Sequence, residues 1–216
     1  WLVYPVAEEI YREFFGSVRA GLVVEASHQG QLYRILRMYV DVPRGVTSFA
    51  RRFSLPVWAT HGTVRGARDG FRGVTVHRID GYREFAIGGL HVRPFPVPHD
   101  AGEPAQFVFS DGQRRLGVLT DVGCATPHIQ SVLSGCDALA LECNHDPGML
   151  RNGPYPESLK RRVGGRFGHL SNEAAGELLA ALDRTRLQHV VAVHLSLKNN
   201  TPALARAPLA EAMGCE

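Results

Sequence analysis

The chain has 216 residues and a mass of 23.7 kDa, enough for one well-filled core, which excludes two ordinary domains joined by a linker. Hydrophobic residues make up 44% and charged residues 21%, so the composition excludes disordered and fibrous classes. The formal net charge of +3 permits a polyanionic substrate but excludes a protein that coats nucleic acid through bulk charge alone.

The amino-terminal part of the chain predicts two helices. Residues 7–19 carry apolar side chains at Ile10, Phe14 and Val18, a helical spacing, with acidic residues in the first turn. Residues 45–54 predict a second, short helix, which Leu55-Pro56 would end. From residue 57 onwards the pattern becomes rich in strands.

Short runs rich in β-branched and apolar residues, bounded by Gly, Pro, Asp and Asn, predict eight strands. These strands are 57–60, 74–79, 85–87, 92–97, 106–109, 116–120, 138–142 and 190–193. Helical patterns lie between and after them at 128–133, 157–163, 172–183 and 203–213. Strands first, and then strands alternating with helices, indicate an α/β protein with two sheets covered by helices on their outer faces.

No apolar run approaches the roughly 18 residues that span a bilayer, and no signal-peptide pattern opens the chain. The four cysteines show no C-x-x-C spacing, which favours reduced thiols. We therefore expect one domain over residues 1–216, located in the cytoplasm and away from membranes, with the oligomeric state left open.

Four of the predicted strands end on residues that commonly bind metal ions. These residues are His99-Asp100, Asp121, Asn144-His145-Asp146 and His194. Carboxyl ends of strands are where loops converge on a site, and His with Asp is a usual ligand set for a catalytic zinc-type centre. A single His after a strand is more often a surface residue, and Asp121 before Val122-Gly123 also fits a simple turn. Their joint placement favours a metal site.

Five motifs carry a resemblance to a known family. They are VPHDA (97–101), TDVG (120–123), LECNHDPGML (141–150), GHLSN (168–172) and VHLSLKNN (193–200). In this order and spacing they resemble the WalJ/YycJ-type family of bacterial metallo-β-lactamase-fold nucleases, from about residue 57 to the end. The resemblance implies a four-layer αββα metallo-β-lactamase sandwich.

The resemblance also implies a site with two divalent metal ions, zinc or manganese. His99 and His194 resemble the histidines that bind the first and the second metal, and Asp121 resembles the aspartate that bridges them. Two such ions, about 3.5–4 Å apart, activate a bridging hydroxide as the nucleophile and neutralise charge on a phosphoryl oxygen. The implied activity is hydrolysis of phosphodiester bonds, as in an exonuclease acting on DNA or RNA.

Three further residues receive catalytic roles from the resemblance. His169 resembles the histidine that contacts the scissile phosphate and assists the leaving group, a task that suits an imidazole near neutral pH. Asn144 and His145 resemble the family's loop at the rim of the site. A structural alternative stays open for each, because His169 can cap the following helix and Asn144 with His145 can hold a turn. Arg161, Arg162 and Arg166 are candidate phosphate contacts, and a solvated helix face is the alternative for them.

The family's H-x-H-x-D-H motif is absent. The segment at its expected place, ILRMYVDVPRG (35–45), contains Asp41, a candidate metal ligand, but no histidine. Residues 1–45 are therefore atypical for the family, through either a frame or start artefact or true divergence. This absence leaves a second function open, in which a metal-depleted, non-catalytic member of the fold binds phosphate or nucleic acid.

Overall fold

The structure is a computed structural model that describes residues 54–215, apart from the side chains of Arg68 and Asp69. The helix predicted at 7–19, nearly all of the one predicted at 45–54, and Asp41 lie outside the described residues. Within them, the chain forms two compact units, which consist of residues 54–80 with 101–103, and of residues 81–100 with 104–215.

The smaller unit contains a short two-stranded parallel sheet. Strand β1 (Val57–Ala59) pairs with β2 (Val76–Arg78), and helix α1 (His61–Gly66) and a 3-10 helix (Arg68–Phe71) lie between them in the chain. The side chain of Thr60 caps α1 by accepting a hydrogen bond from the Thr63 backbone N–H. Neither helix was predicted, because each is too short to show a helical period.

The larger unit is built on one six-stranded sheet. Its strands are β3 (Phe85–Ile87), β4 (Leu90–Pro96), β5 (Ala105–Ser110), β6 (Arg115–Leu119), β7 (Ala138–Glu142) and β8 (His189–Val193). They follow one another in the sheet in chain order, antiparallel from β3 to β6 and parallel from β6 to β8. The change to parallel pairing coincides with the first helical crossover.

Five helices belong to this unit. They are α2 (Pro127–Leu133), α3 (Pro147–Asn152), α4 (Glu157–Val163), α5 (Asn172–Ala181) and α6 (Pro202–Met213). Four of them begin at a side-chain cap, supplied by Thr126, Asp146, Ser171 and Thr201. None of the described helices is long and apolar enough to cross a bilayer.

The core of this unit lies where the sheet meets helices α2, α5 and α6. Leu139 and Leu141 of β7 are buried together with Leu133 of α2 and Leu179 of α5. The packing is close at Gly117 in β6, where a side-chain carbon would lie 2.7 Å from both Leu133 and Leu139. Burial of such leucines contributes about 1.5–3 kcal/mol each, which anchors the strands whose ends form the site.

Every strand and helix predicted from residue 57 onwards is present, with bounds within two residues of the prediction. Helix α3 was not predicted. Its six residues show no helical period, although Asp146 as the cap and Pro147 in the first turn are the usual start signal.

A candidate metal centre at the carboxyl ends of the strands

Four strands of the larger unit deliver polar side chains to one edge of the sheet. Strands β6, β7 and β8 are parallel, so their carboxyl ends share an edge. Strand β4 runs in the same direction as β6, because both are antiparallel to β5. His99, Asp121, Glu142 and His194 follow or close these four strands, so strand direction alone brings them to the same edge.

Asp121 lies at the centre of three histidines. Its Oδ1 is 3.8 Å from His99 Nε2, 3.9 Å from His169 Nδ1 and 3.7 Å from His194 Nδ1. The His169 ring centroid is 5.2 Å from that of His99 and 5.0 Å from that of His194. The structure therefore brings together three of the predicted metal ligands, His99, Asp121 and His194, and the predicted catalytic residue His169.

Two of these residues have a strained backbone. Asp121 has a φ of 48° and His194 a φ of 59°, in the left-handed region that non-glycine residues seldom adopt. Such a conformation costs on the order of 1–3 kcal/mol and persists where the surroundings enforce it, often at functional sites. At His194 the surroundings include Asn144, whose Nδ2 donates a hydrogen bond of 3.0 Å to the His194 carbonyl.

Glu142, to which no sequence motif assigned a role, is fully buried. Its Oε1 accepts hydrogen bonds from His169 Nδ1 at 2.8 Å and from His194 Nδ1 at 2.9 Å. Its Oε2 accepts a hydrogen bond of 2.8 Å from the backbone N–H of Val122, next to Asp121. One buried carboxylate therefore orients two histidines and the backbone beside the central aspartate.

Electrostatics keep Glu142 ionised despite its burial. Burial raises the pKa of Glu142, but the hydrogen bonds and positive charge of His169 and His194 oppose it and leave the pKa lowered. Burial also lowers the pKa of His194, but its hydrogen bond to Glu142 and the charges of Glu142 and Asp121 leave the pKa raised. The two shifts agree, since each describes a carboxylate paired with an imidazole.

In all three histidines Nδ1 donates a hydrogen bond to the protein and Nε2 stays available. His169 and His194 donate through Nδ1 to Glu142, and His99 Nδ1 donates to the Gly168 carbonyl at 2.9 Å. Carboxylate and carbonyl oxygens only accept, so each Nδ1 carries the proton in these contacts. Each Nε2 is then left to bind a metal ion or to transfer a proton, as in the oriented histidines of metal sites.

The donor set fits a divalent metal ion. Among the described residues, two groups have ligand atoms within 4.8 Å of one another, namely His99 with Asp121 and His169, and Glu142 with His169 and His194. Imidazole nitrogen and carboxylate oxygen are ligands that zinc and manganese accept. Since Glu142 already accepts three hydrogen bonds, we interpret it as an orienting carboxylate and not as a ligand.

The remaining predicted site residues lie around this group. Asn144 is 8% exposed, and His145 is 3% exposed with its Nδ1 3.4 Å from Asn144 Oδ1. Burial lowers the pKa of His145. His145 belongs to neither ligand group of the described residues, and Asp41 lies outside them.

A buried amide pair joins the loops that carry the site. Asn172 and Asn200 each donate from Nδ2 to the other's Oδ1 at 2.8 Å, and Asn200 Nδ2 also donates to the Cys143 carbonyl at 2.7 Å. Asn172 follows His169 by three residues and Asn200 follows His194 by six, while Cys143 adjoins Glu142. The pair therefore fixes three loops against one another.

The loop before His169 is joined to the loop of His99. The Asp100 backbone N–H donates to the Phe167 carbonyl at 3.0 Å, next to the bond from His99 to Gly168. Asp100 Oδ2 also accepts a hydrogen bond of 2.6 Å from Arg162 Nε, which lowers the pKa of Asp100.

Comparisons with known proteins agree with this geometry. A family model described as "Beta-lactamase superfamily domain" matches residues 40–195. The exodeoxyribonuclease YycJ of Bacillus anthracis is 33% identical over 178 residues, which cover 80% of this chain and 67% of that protein. The exodeoxyribonuclease WalJ of Streptococcus pneumoniae is 28% identical over 176 residues, which cover 79% of this chain and 65% of that protein.

The chain thus spans about two thirds of the length of these two relatives. The crystal structure of the metallo-β-lactamase fold protein YhfI from Bacillus subtilis superposes with a TM-score of 0.57 at 14% identity, covering 78% of this chain and 64% of that one. The chain therefore belongs to the β-lactamase superfamily and has the α/β metallo-β-lactamase fold, and the resemblance of its motifs to the YycJ/WalJ group is confirmed.

Proposed function

We propose that this chain is a metal-dependent hydrolase that cleaves phosphodiester bonds at the ends of DNA strands. The observation that carries the proposal is the pairing of His169 with the buried Glu142 beside Asp121, His99 and His194. This pairing supports the proposal because the imidazole that a carboxylate orients lies beside side chains of the types that bind divalent metals. The choice of DNA rests on the two similar exodeoxyribonucleases.

His99, Asp121 and His194 are the proposed metal ligands, with Asp41 as a further candidate from the segment outside the described residues. Zinc and manganese both suit these donors. Divalent ions bound there would polarise a phosphoryl oxygen and lower the pKa of water at the site. The chain's own contribution is to orient the histidines, through Glu142 for His194 and through the Gly168 carbonyl for His99.

His169 is the proposed general acid. Its side chain is 22% exposed, so its Nε2 can meet a substrate while its Nδ1 stays on Glu142. The hydrogen bond to Glu142 holds the ring in place, and the proton moves from Nε2 to the oxygen that leaves the phosphorus. General-acid assistance of this kind contributes about 10²–10⁴-fold in rate.

Asn144 and His145 are proposed to support the catalytic groups. The bond from Asn144 to the His194 carbonyl holds the strained backbone of that histidine. The His145 carbonyl accepts a hydrogen bond of 2.9 Å from the Asn172 backbone N–H, which ties its loop to the loop of His169. Exposed Arg161 and Arg166 are the proposed phosphate contacts.

The test is hydrolysis of DNA by the full chain. Single- and double-stranded oligodeoxynucleotides, labelled at either end, are incubated with the chain and zinc or manganese, with RNA of the same sequence in parallel. We expect stepwise release of mononucleotides from DNA, loss of activity with EDTA, and recovery when metal is returned. A fully metal-loaded chain that releases no nucleotide from any of these substrates would overturn the proposal.

The absent H-x-H-x-D-H motif favours a second candidate, a metal-depleted binding protein of the same fold. Elemental analysis after dialysis, with and without added zinc, separates the two. About two equivalents of metal, lost in Asp121→Ala, support the hydrolase. Metal content near zero, together with retained binding of oligonucleotides, would assign the second function.

A further inference from the structure

Two loops of the candidate metal centre each expose a large apolar side chain. Phe167 is 57% exposed and lies two residues before His169, and Leu197 is 85% exposed and lies three residues after His194. Phe167 is notable because its backbone is held from several sides.

The backbone around Phe167 is fixed. The Phe167 carbonyl accepts from Asp100 N–H, the Gly168 carbonyl accepts from His99 Nδ1, and His169 N–H donates to the Val163 carbonyl at 2.8 Å. A side chain on Gly168 would collide with the end of α4, and one on Gly123 would collide with the Arg166 carbonyl. The exposure of the Phe167 ring is therefore a property of a tightly packed loop.

Two exposed arginines lie close to Phe167 in the chain. Arg166 adjoins Phe167 and is exposed, and the Arg162 side chain is 68% exposed. Arg162 donates through Nε to Asp100 Oδ2, so its guanidinium is paired with a carboxylate while most of its side chain stays exposed. An exposed aromatic ring on a fixed backbone, with exposed arginines nearby in the chain, suits single-stranded nucleic acid, which stacks its bases on aromatic rings while cations track its phosphates.

We infer that Phe167 is a stacking platform for the terminal nucleobase of a DNA strand whose end enters the metal centre. The inference rests on the proposed function for the identity of the substrate. It gives the site a preference for strand ends that carry a base over ends that lack one, since only a base offers an aromatic face to the ring. The arginines supply attraction that does not depend on sequence.

The test is binding without turnover. The full chain, with EDTA present, is titrated into an internally labelled ten-nucleotide single strand and followed by fluorescence anisotropy. Matched strands lack the base at the 5′ end or at the 3′ end. We expect Phe167→Ala to weaken binding of the intact strand about 5- to 150-fold, the range that loss of one stacked base gives.

The strands that lack a terminal base and the control variants distinguish stacking of that base on Phe167 from other causes of weaker binding. For one of the two strands that lack a terminal base, wild type should bind about as weakly as Phe167→Ala binds the intact strand. Phe167→Ala should bind this strand only slightly more weakly than it binds the intact strand. Phe167→Trp should restore binding. Leu116→Ala, which removes a 41% exposed side chain of β6, should bind like wild type.

Equal affinity of Phe167→Ala and wild type for the intact strand would overturn the inference. An equal loss of affinity in Phe167→Ala for the intact strand and for both strands that lack a terminal base would also overturn it, as would no binding by wild type. Hydrolysis of bis(p-nitrophenyl) phosphate, which has no nucleobase, tests the proposed function separately. A chain that discriminates the strands but hydrolyses no phosphodiester would retain the platform and lose the proposed function.

Discussion

The two ends of strand β7 each have a buried carboxylate, and the two carboxylates have different hydrogen-bond partners. At the carboxyl end Glu142 accepts hydrogen bonds from His169, His194 and the Val122 backbone. At the amino end Asp137, which is 6% exposed, accepts hydrogen bonds from Arg114, Arg186 and the Arg115 backbone at 2.8–3.2 Å. Both carboxylates are satisfied, and both have a lowered pKa.

The difference lies in what the partners can still do. Arginine has no acceptor and stays protonated, so the cluster around Asp137 is an ion-pair network that serves the fold. Histidine gives one nitrogen to the carboxylate and keeps the other available, so the cluster around Glu142 can bind metal or transfer a proton. Backbone strain supports the same distinction, since Asp121 and His194, which have left-handed backbone conformations, lie at the edge of the sheet where β7 ends with Glu142. The choice of partner therefore separates a carboxylate that serves the fold from one whose partners suit a metal site.

The largest effect should come from the histidine that we propose as general acid. His169→Gln keeps a donor near Glu142 but cannot deliver a proton, so kcat on DNA should fall about 10²–10⁴-fold. Bound metal, measured by elemental analysis, should stay as in wild type. A parallel loss of metal would show that His169 is a ligand, as its place in both ligand groups allows.

Removing the charge of the buried carboxylate should have a smaller effect on two properties at once. In Glu142→Gln the amide nitrogen cannot accept a hydrogen bond, so either both histidines or the Val122 N–H lose their acceptor. The histidines also lose the negative charge beside them, and both metal affinity and activity should fall about 10- to 100-fold. Titration with zinc and steady-state kinetics measure the two losses. Glu177→Gln on the exposed face of α5 is the matched control and should change neither. Unchanged metal affinity in Glu142→Gln would contradict the orienting role.

The buried amide pair should matter for stability at the same end of the sheet. Asn200→Asp removes the Nδ2 donor that serves Asn172 and Cys143, and it should lower the free energy of unfolding by about 1–3 kcal/mol. Denaturant titration measures the loss, with Asn152→Asp at an exposed position as the control. A loss no larger than that of Asn152→Asp would show that the pair does not hold the loops.

The smallest effect should come from the amino end of β7. Asp137→Asn should lower Tm by about 2–5 °C and leave metal content and kcat unchanged. The Arg115 backbone N–H and then the two arginines hold the pKa of Asp137 below its usual value, against the opposing effect of burial. Its ionised form therefore stabilises the fold above the usual pKa of about 3.9, and this contribution is lost as the pH falls through the lower folded pKa.

The Tm difference between wild type and Asp137→Asn should accordingly be present at pH 7 and shrink below pH 4, as calorimetry across this range would show. If kcat fell in Asp137→Asn as much as in Glu142→Gln, the two ends of the strand would not differ in function.

Much of the site followed from the sequence, because the rule behind it is local. His99, Asp121 and His194 each lie within three residues of the end of a strand. Strands that run in the same direction end at a common edge, so their meeting could be predicted before the structure. Glu142 was missed for a related reason. It is the last residue of an otherwise apolar strand, ALALE, and the prediction assigned the site to the polar residues that follow this strand. A carboxylate in such a position needs buried partners, and that signal was available.

For the part of the chain that the structure describes, the sequence by itself determined the strands, most of the helices, the fold class and the residue types at the candidate site, because periodicity, caps and strand ends are properties of neighbouring residues. Only the tertiary structure decided how these pieces act on one another. The sharing of Glu142 by two histidines, the Asn172–Asn200 pair and the fixed Phe167 loop each join residues 25 or more positions apart or fix a loop from several sides. Such contacts depend on how the loops pack against one another, which no local pattern contains.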